Sequence, residues 1–171
     1  MQFALTILLC IASAICYGIV HDQITARICV EYFTISHPPV FHTESPTLLA
    51  FGWGVIATWW VGLFLGVPLA CVARLGSRQK VDAKTLIKPI WVLLGIMACG
   101  ALIAGLLGFL LASNGSVYLV EPMATHIPKA KQIAFLVDLW AHSASYLFGF
   151  VGGIVVITLT WLKRSRITTE K

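Results

Sequence analysis

The sequence predicts an all-α integral membrane protein, an antiparallel bundle of four transmembrane helices, and three observations predict it. Apolar side chains make up 58% of the 171 residues and charged ones only 11%, far from the balance of a soluble domain. The apolar residues gather into four runs long enough to cross a ~30 Å hydrocarbon layer. Small residues recur within those runs at helical spacing, as lipid-embedded helices need for close approach.

The first span is residues 2–20, an uncharged run. It lacks the basic leader of a cleaved signal peptide and exceeds the usual apolar length of one, so it reads as a retained helix. No helix breaker follows before Ser36-His37-Pro38-Pro39, so this helix is expected to continue past the membrane to about residue 34. An outer loop, 21–46, leads to the second span, 47–73, with Pro46 at a helix start and Pro68 inside, where it should bend the helix. The inner loop is 74–88. The third span, 89–112, is expected to start at Pro89. A second outer loop, 113–132, precedes the fourth span, 133–162, and a tail, 163–171.

Orientation follows from the basic residues. Nine of the 12 lie in the segment between the second and third spans (Arg74, Arg78, Lys80, Lys84, Lys88) or in the tail (Lys163, Arg164, Arg166, Lys171). The other two loops hold only Arg27, Lys129 and Lys131. Both termini are therefore expected in the cytoplasm. Trp91 and Trp161 would mark the inner interface, and Trp53, Tyr118 and Trp140 the outer one. The net charge of +5 is topological, so no nucleic-acid partner is expected. The five cysteines stand singly, without metal-binding or redox spacing, and read as small buried hydrophobes.

Helix packing is forecast by Ala50, Gly54, Thr58, Gly62, Gly66 and Ala70, four residues apart along the second span. Ala101, Gly105, Gly108 and Ala112 in the third span and Ser145, Gly149 and Gly153 in the fourth play the same part. Such stripes serve packing within one chain or between copies, so a homo-oligomer or a larger membrane complex fits as well as a monomer. No internal repeat relates the two halves.

The polar residues are asymmetric. All five histidines (His21, His37, His42, His126, His142) and the acids Asp22, Glu31, Glu44, Glu121 and Asp138 fall on the outer side or in the outer half of a span. Asp138 is the one charged residue inside the assigned spans, about 8 Å below the outer end of its helix. An ionised group there costs about 2.5–3.5 kcal/mol on insertion scales, so it should face the bundle interior. His142 lies one turn deeper on the same face, with Ser145, Tyr146 and Gly149 beyond it. The nearest polar partner is expected at the top of the first helix, where His21, Thr25, Ile28 and Tyr32 share a side. Arg27 and Glu31 should pair at i,i+4 on another side.

Three readings of this cluster stay open. His21, Asp22, Glu31, Asp138 and His142 could ligate zinc or iron through mixed imidazole and carboxylate donors. Asp138 and His142, with Tyr146 and Thr25, could form a ligand or proton site of a small proton-coupled transporter or a membrane enzyme. The same groups could simply satisfy one another, holding helix register in a structural subunit of a membrane complex. His37 and His42, five apart in a Pro-rich turn, read as ordinary surface histidines. The chain lacks a phosphate-binding glycine loop, H-E-x-x-H and G-x-S-x-G, which removes nucleotide-driven and common hydrolase chemistry.

The block Tyr17-Gly18-Ile19-Val20-His21-Asp22-Gln23-Ile24-Thr25-Ala26-Arg27, followed by Cys29-Val30-Glu31-Tyr32-Phe33, resembles one in a family of small uncharacterised bacterial four-helix inner-membrane proteins. The likeness extends loosely to Trp140-Ala141-His142 and Gly152-Gly153. It transfers no activity. It implies a bacterial inner membrane, with the outer side facing the periplasm.

Overall fold

Every regular element of the computed structural model is helical among the described residues, which are 1–169, with side chains as far as Arg164. The helices are α1 (Gln2–Ile28), α2 (Val30–Thr34), α3 (Pro46–Ile56), α4 (Trp59–Arg74), α5 (Ala83–Ser113), α6 (Met123–His126) and α7 (Gln132–Thr169). A 3₁₀ turn, Lys129–Lys131, leads into α7. Among the described residues, four stretches are long and apolar enough to cross a membrane: Gln2–Ile28, Pro46–Arg74, Ala83–Ser113 and Lys129–Arg164.

The first helix does not run on to residue 34. At Cys29 the backbone turns extended (φ −147°, ψ 96°), its N–H closing α1 on the Thr25 carbonyl. The short α2 then starts in a new direction. No glycine or proline announces the break, because tertiary contacts make it: Cys29 is buried against Ile127 and Phe135, and Phe33 packs into the core with Ala26, Leu49, Ala50 and Trp53. The turn also undoes the expected Arg27–Glu31 pair, since helical spacing no longer relates them. Arg27 donates to Gln23 and to Thr47 Oγ1, and Glu31 faces Lys131 at 3.4 Å.

The second apolar stretch is interrupted at Ala57–Thr58, not at Pro68, which lies inside a continuous α4. Thr58 Oγ1 donates back to the Gly54 carbonyl there, an interaction known to bend helices. Pro89 likewise sits inside α5, which begins at Ala83. Two further expectations fail on burial. Trp53 is enclosed, 7% exposed, between Phe41 and His37, and is no interfacial anchor. Cys16 and Cys99 are exposed, and Cys29 is the buried cysteine.

α1 packs on α3 and α4, and α5 on α7, with lighter contacts joining the two pairs. The glycine stripe of the second apolar stretch faces α1. A Cβ on Gly54 would lie 2.6 Å from the Ile19 backbone nitrogen, one on Gly62 2.7 Å from the Cys10 carbonyl, and one on Gly66 2.9 Å from Cys10 Cβ. Residue numbers fall along α1 as they rise along α3 and α4. Gly108 of α5 meets Trp140 of α7 in the same manner, and Gly153 of α7 meets Leu65 of α4.

One end of the molecule is tied by polar contacts that gather its basic residues. Arg164 is 2% exposed, and its guanidinium donates to the carbonyls of Val72, Leu75 (3.1 Å), Arg78 (2.8 Å) and Gln79 (2.6 Å). Arg74 bridges Asp82 at 2.8 Å, and the Ala83 N–H donates to Gln2 Oε1 at 3.1 Å. Gln2, the 75–82 loop and the end of α7 therefore share one end. The His and Asp cluster lies toward the other.

Candidate functional site

α1 presents Tyr17, His21 and Thr25 along one ridge, four residues apart, with Asp22 beside it. α7 presents Asp138, His142 and Ser145 toward it, and α2 lays Tyr32 and Phe33 over the top. His142 joins the elements. Its Nδ1–H donates to the Asp138 carbonyl at 2.8 Å, and its Nε2 stands 3.3 Å from Asp22 Oδ1. Its ring stacks on Tyr32 (4.5 Å, 27° between planes) and meets His21 edge-on at 4.6 Å. Tyr17 stacks under His21 at 5.7 Å and shares a 2.9 Å hydrogen bond with Ser145.

His21, Asp22 and His142 each bring a donor atom within 4.8 Å of the other two. The helix-to-helix contact expected from polarity thus forms, through Asp22. Of the other candidate residues, Tyr146 lines the same cavity as these three, and Glu31, Thr25 and Asp138 do not. Glu31 points to Lys131 and to the Cys29 thiol. Thr25 is buried and donates to the His21 carbonyl. Tyr146 donates to the Ala57 carbonyl at the α3–α4 break, at 3.3 Å. Asp138 is wholly buried, and its carboxylate, close to the Cys29 backbone, has no hydrogen bond of good geometry, a state costly for a carboxylate.

The protonation pattern around His142 is informative. A carbonyl only accepts, so Nδ1 carries the proton and, in a neutral ring, Nε2 offers a lone pair. That lone pair faces a carboxylate oxygen, so a proton or a cation must lie between the two acceptors. Nearby, His21 Nε2 is buried without a hydrogen-bond partner. The three residues line a cavity of about 90 Å³, room for a few water molecules, walled by aromatic rings and by Gly18, Val61 and Met97.

His37, expected in a surface loop, lines the same cavity half-buried. Its Nδ1 donates to the Tyr32 carbonyl at 2.9 Å, and its ring packs 4.6 Å from Trp53. Tyr17, Trp53 and His37 were all missed as site residues. Tyr17, one turn before His21, carried a signal in the ridge. His37 did not, because its burial depends on the Cys29 turn.

Outside the apolar stretches, burial sets the titration of the covering segment. It pushes the Cys29 thiol up to about 11 and raises Tyr32. At Glu31 burial is outweighed by its own backbone N–H, Cys29 and Lys131, which hold the carboxyl below its ordinary value. Burial holds His37 below 6.5, although its bond to the Tyr32 carbonyl opposes the shift. A folded-state histidine depressed in this way is stabilising when neutral. Its contribution is complete above pH 6.5 and is lost as pH falls through the lower folded value. Thermal unfolding in detergent between pH 8 and pH 5 should therefore show a fall in stability that His37→Gln makes shallower; identical slopes would refute it.

No protein-family model, no curated protein and no solved structure matches the chain.

Proposed function

We propose that this chain is a bacterial inner-membrane protein, an antiparallel four-helix bundle with cytoplasmic termini, that holds a zinc or iron ion on His21, Asp22 and His142 in its periplasmic half. The membrane reading is supported by the four apolar stretches. The orientation is supported by the basic loop and the end of α7 meeting at one end, where Arg164 ties them.

The metal reading is carried by the facing lone pairs of His142 Nε2 and Asp22 Oδ1. Donors around a tetrahedral zinc ion with bonds of ~2.0–2.1 Å lie about 3.3 Å apart, the spacing this pair already has. His21 completes the set by side-chain rotation, bringing in its unpartnered Nε2. The bond from His142 Nδ1–H to a backbone carbonyl is the support that metal-binding imidazoles usually have. Three protein donors leave a fourth position open to the cavity, the arrangement of sites that bind an exchangeable water or ligand. The ion would supply charge to that ligand; the chain's own part is to orient it and exclude bulk water with Tyr32 and Phe33.

Elemental mass spectrometry on protein purified in mild detergent without a histidine tag tests this. About one ion per chain is expected for the wild type, and a near-complete loss in folded His142→Ala and Asp22→Asn. Asp138→Asn should keep the ion, because its carboxylate lies outside the proposed ligand set. A wild-type protein that takes up neither zinc nor ferrous iron on reconstitution would overturn the metal reading.

A further inference from the structure

Beside this cavity runs a larger groove of about 610 Å³ between α1, α5 and α7. Tyr17 and His21 line both, so these two side chains form the wall between them. The groove is lined by the small residues Ala98, Ala101, Gly105 and Ala134 and by the exposed Ile24 and Leu102. Gly105 brings α5 against α7, where a Cβ would meet Val137 at 3.5 Å. Toward α1 the same small side chains leave a channel.

The groove extends along α1 from Ile28 to Tyr17, about 16 Å at ~1.5 Å per residue. That is close to half of a ~30 Å hydrocarbon core, the depth of one leaflet. Its volume falls in the ordinary range for ligand sites, about 300–1,000 Å³. At the outer mouth stands Ala130, flanked in the 3₁₀ turn by Lys129 and Lys131. Lys131 is engaged by Glu31, whereas Lys129 is exposed next to Ala130, the kind of residue that attracts a lipid phosphate.

We propose that this groove seats one acyl chain of an outer-leaflet phospholipid, its phosphate beside Lys129 and its chain passing His21, the wall that the groove shares with the His and Asp centre. The inference rests on the membrane reading and is independent of whether metal binds. The length match, the apolar lining and the basic mouth together favour a phospholipid.

The test uses the full chain, metal-free, in nanodiscs with a trace of phosphatidylglycerol bearing a mid-chain diazirine. After irradiation, peptide mapping should find adducts on Ile24 or Leu102 enriched about fivefold over the similarly exposed Phe64 and Ile154, a preference of about 1 kcal/mol. Ala134→Phe, or Ala98→Phe at an exposed position, should abolish the enrichment in protein that remains monodisperse. Uniform labelling, or enrichment that survives both fillings, overturns the groove. Equal enrichment with a diacylglycerol probe, which lacks phosphate, overturns the phospholipid assignment. Co-flotation with liposomes is scored separately, so that failure to enter lipid refutes the membrane reading and uniform labelling in floated protein refutes the groove alone.

Discussion

Gly62→Leu is expected to lose about 3 kcal/mol of stability and to yield little monodisperse protein, because the new side chain must grow into backbone. Even its Cβ would stand 2.7 Å from both the Cys10 carbonyl and the Ile11 Cα, and neither can swing aside as a side-chain tip could. Relief requires α1 and α4 to part, which gives up packing along their whole contact. Gly95 is the matched control. Nothing lies within 4 Å of a Cβ built there, and alanine is the better helix former by about 1 kcal/mol. Gly95→Ala should therefore be neutral or stabilising. Reversible unfolding in mixed detergent micelles would measure both, and equal effects would show that α1 and α4 are not held at this distance.

Arg164→Met is expected to cost roughly 3 kcal/mol, in spite of preserving much of the side-chain volume. The four carbonyls it caps belong to the last turn of α4 and the loop after it, and methionine donates to none of them. Lysine should rescue only in part, since its compact ammonium lacks the planar fork that reaches several carbonyls at once. The measurement is limited trypsin digestion with unfolding in parallel. Cleavage at Arg78 and Lys80 should accelerate in the methionine variant, and an unchanged rate would mean that the loop is ordered by other contacts.

The apolar stretches were legible because crossing length and hydropathy are properties of local sequence. The glycine stripe was legible for a related reason: Gly54, Gly62 and Gly66 recur at the spacing of one helix face, and that face meets α1. The meeting of His142 with the top of α1 could be read from the cost of leaving polar groups without partners. What could not be read is where long helices give way. Cys29 and Ala57–Thr58 carry no residue that forbids a helix, and their breaks are set by partners far along the chain: Ile127 and Phe135 around Cys29, and the close contact with Gly18 around Thr58. The errors at Arg27, Glu31, His37 and Trp53 descend from the first break. An unbroken helix would pair Arg27 with Glu31 and leave His37 and Trp53 outside; the turn sends Glu31 to Lys131 and folds the aromatic residues over His142.

That same turn governs time as well as shape. Tyr32 and Phe33 lie against the imidazole of His142, and α2 carrying them is only five residues long, joined to α1 through one extended residue. A helix so short has little stability of its own and is held by what it covers. Passage past Tyr32 and Phe33 would therefore require this small helix to lift as a unit, a local opening whose frequency belongs to the protein and not to the concentration of whatever waits outside.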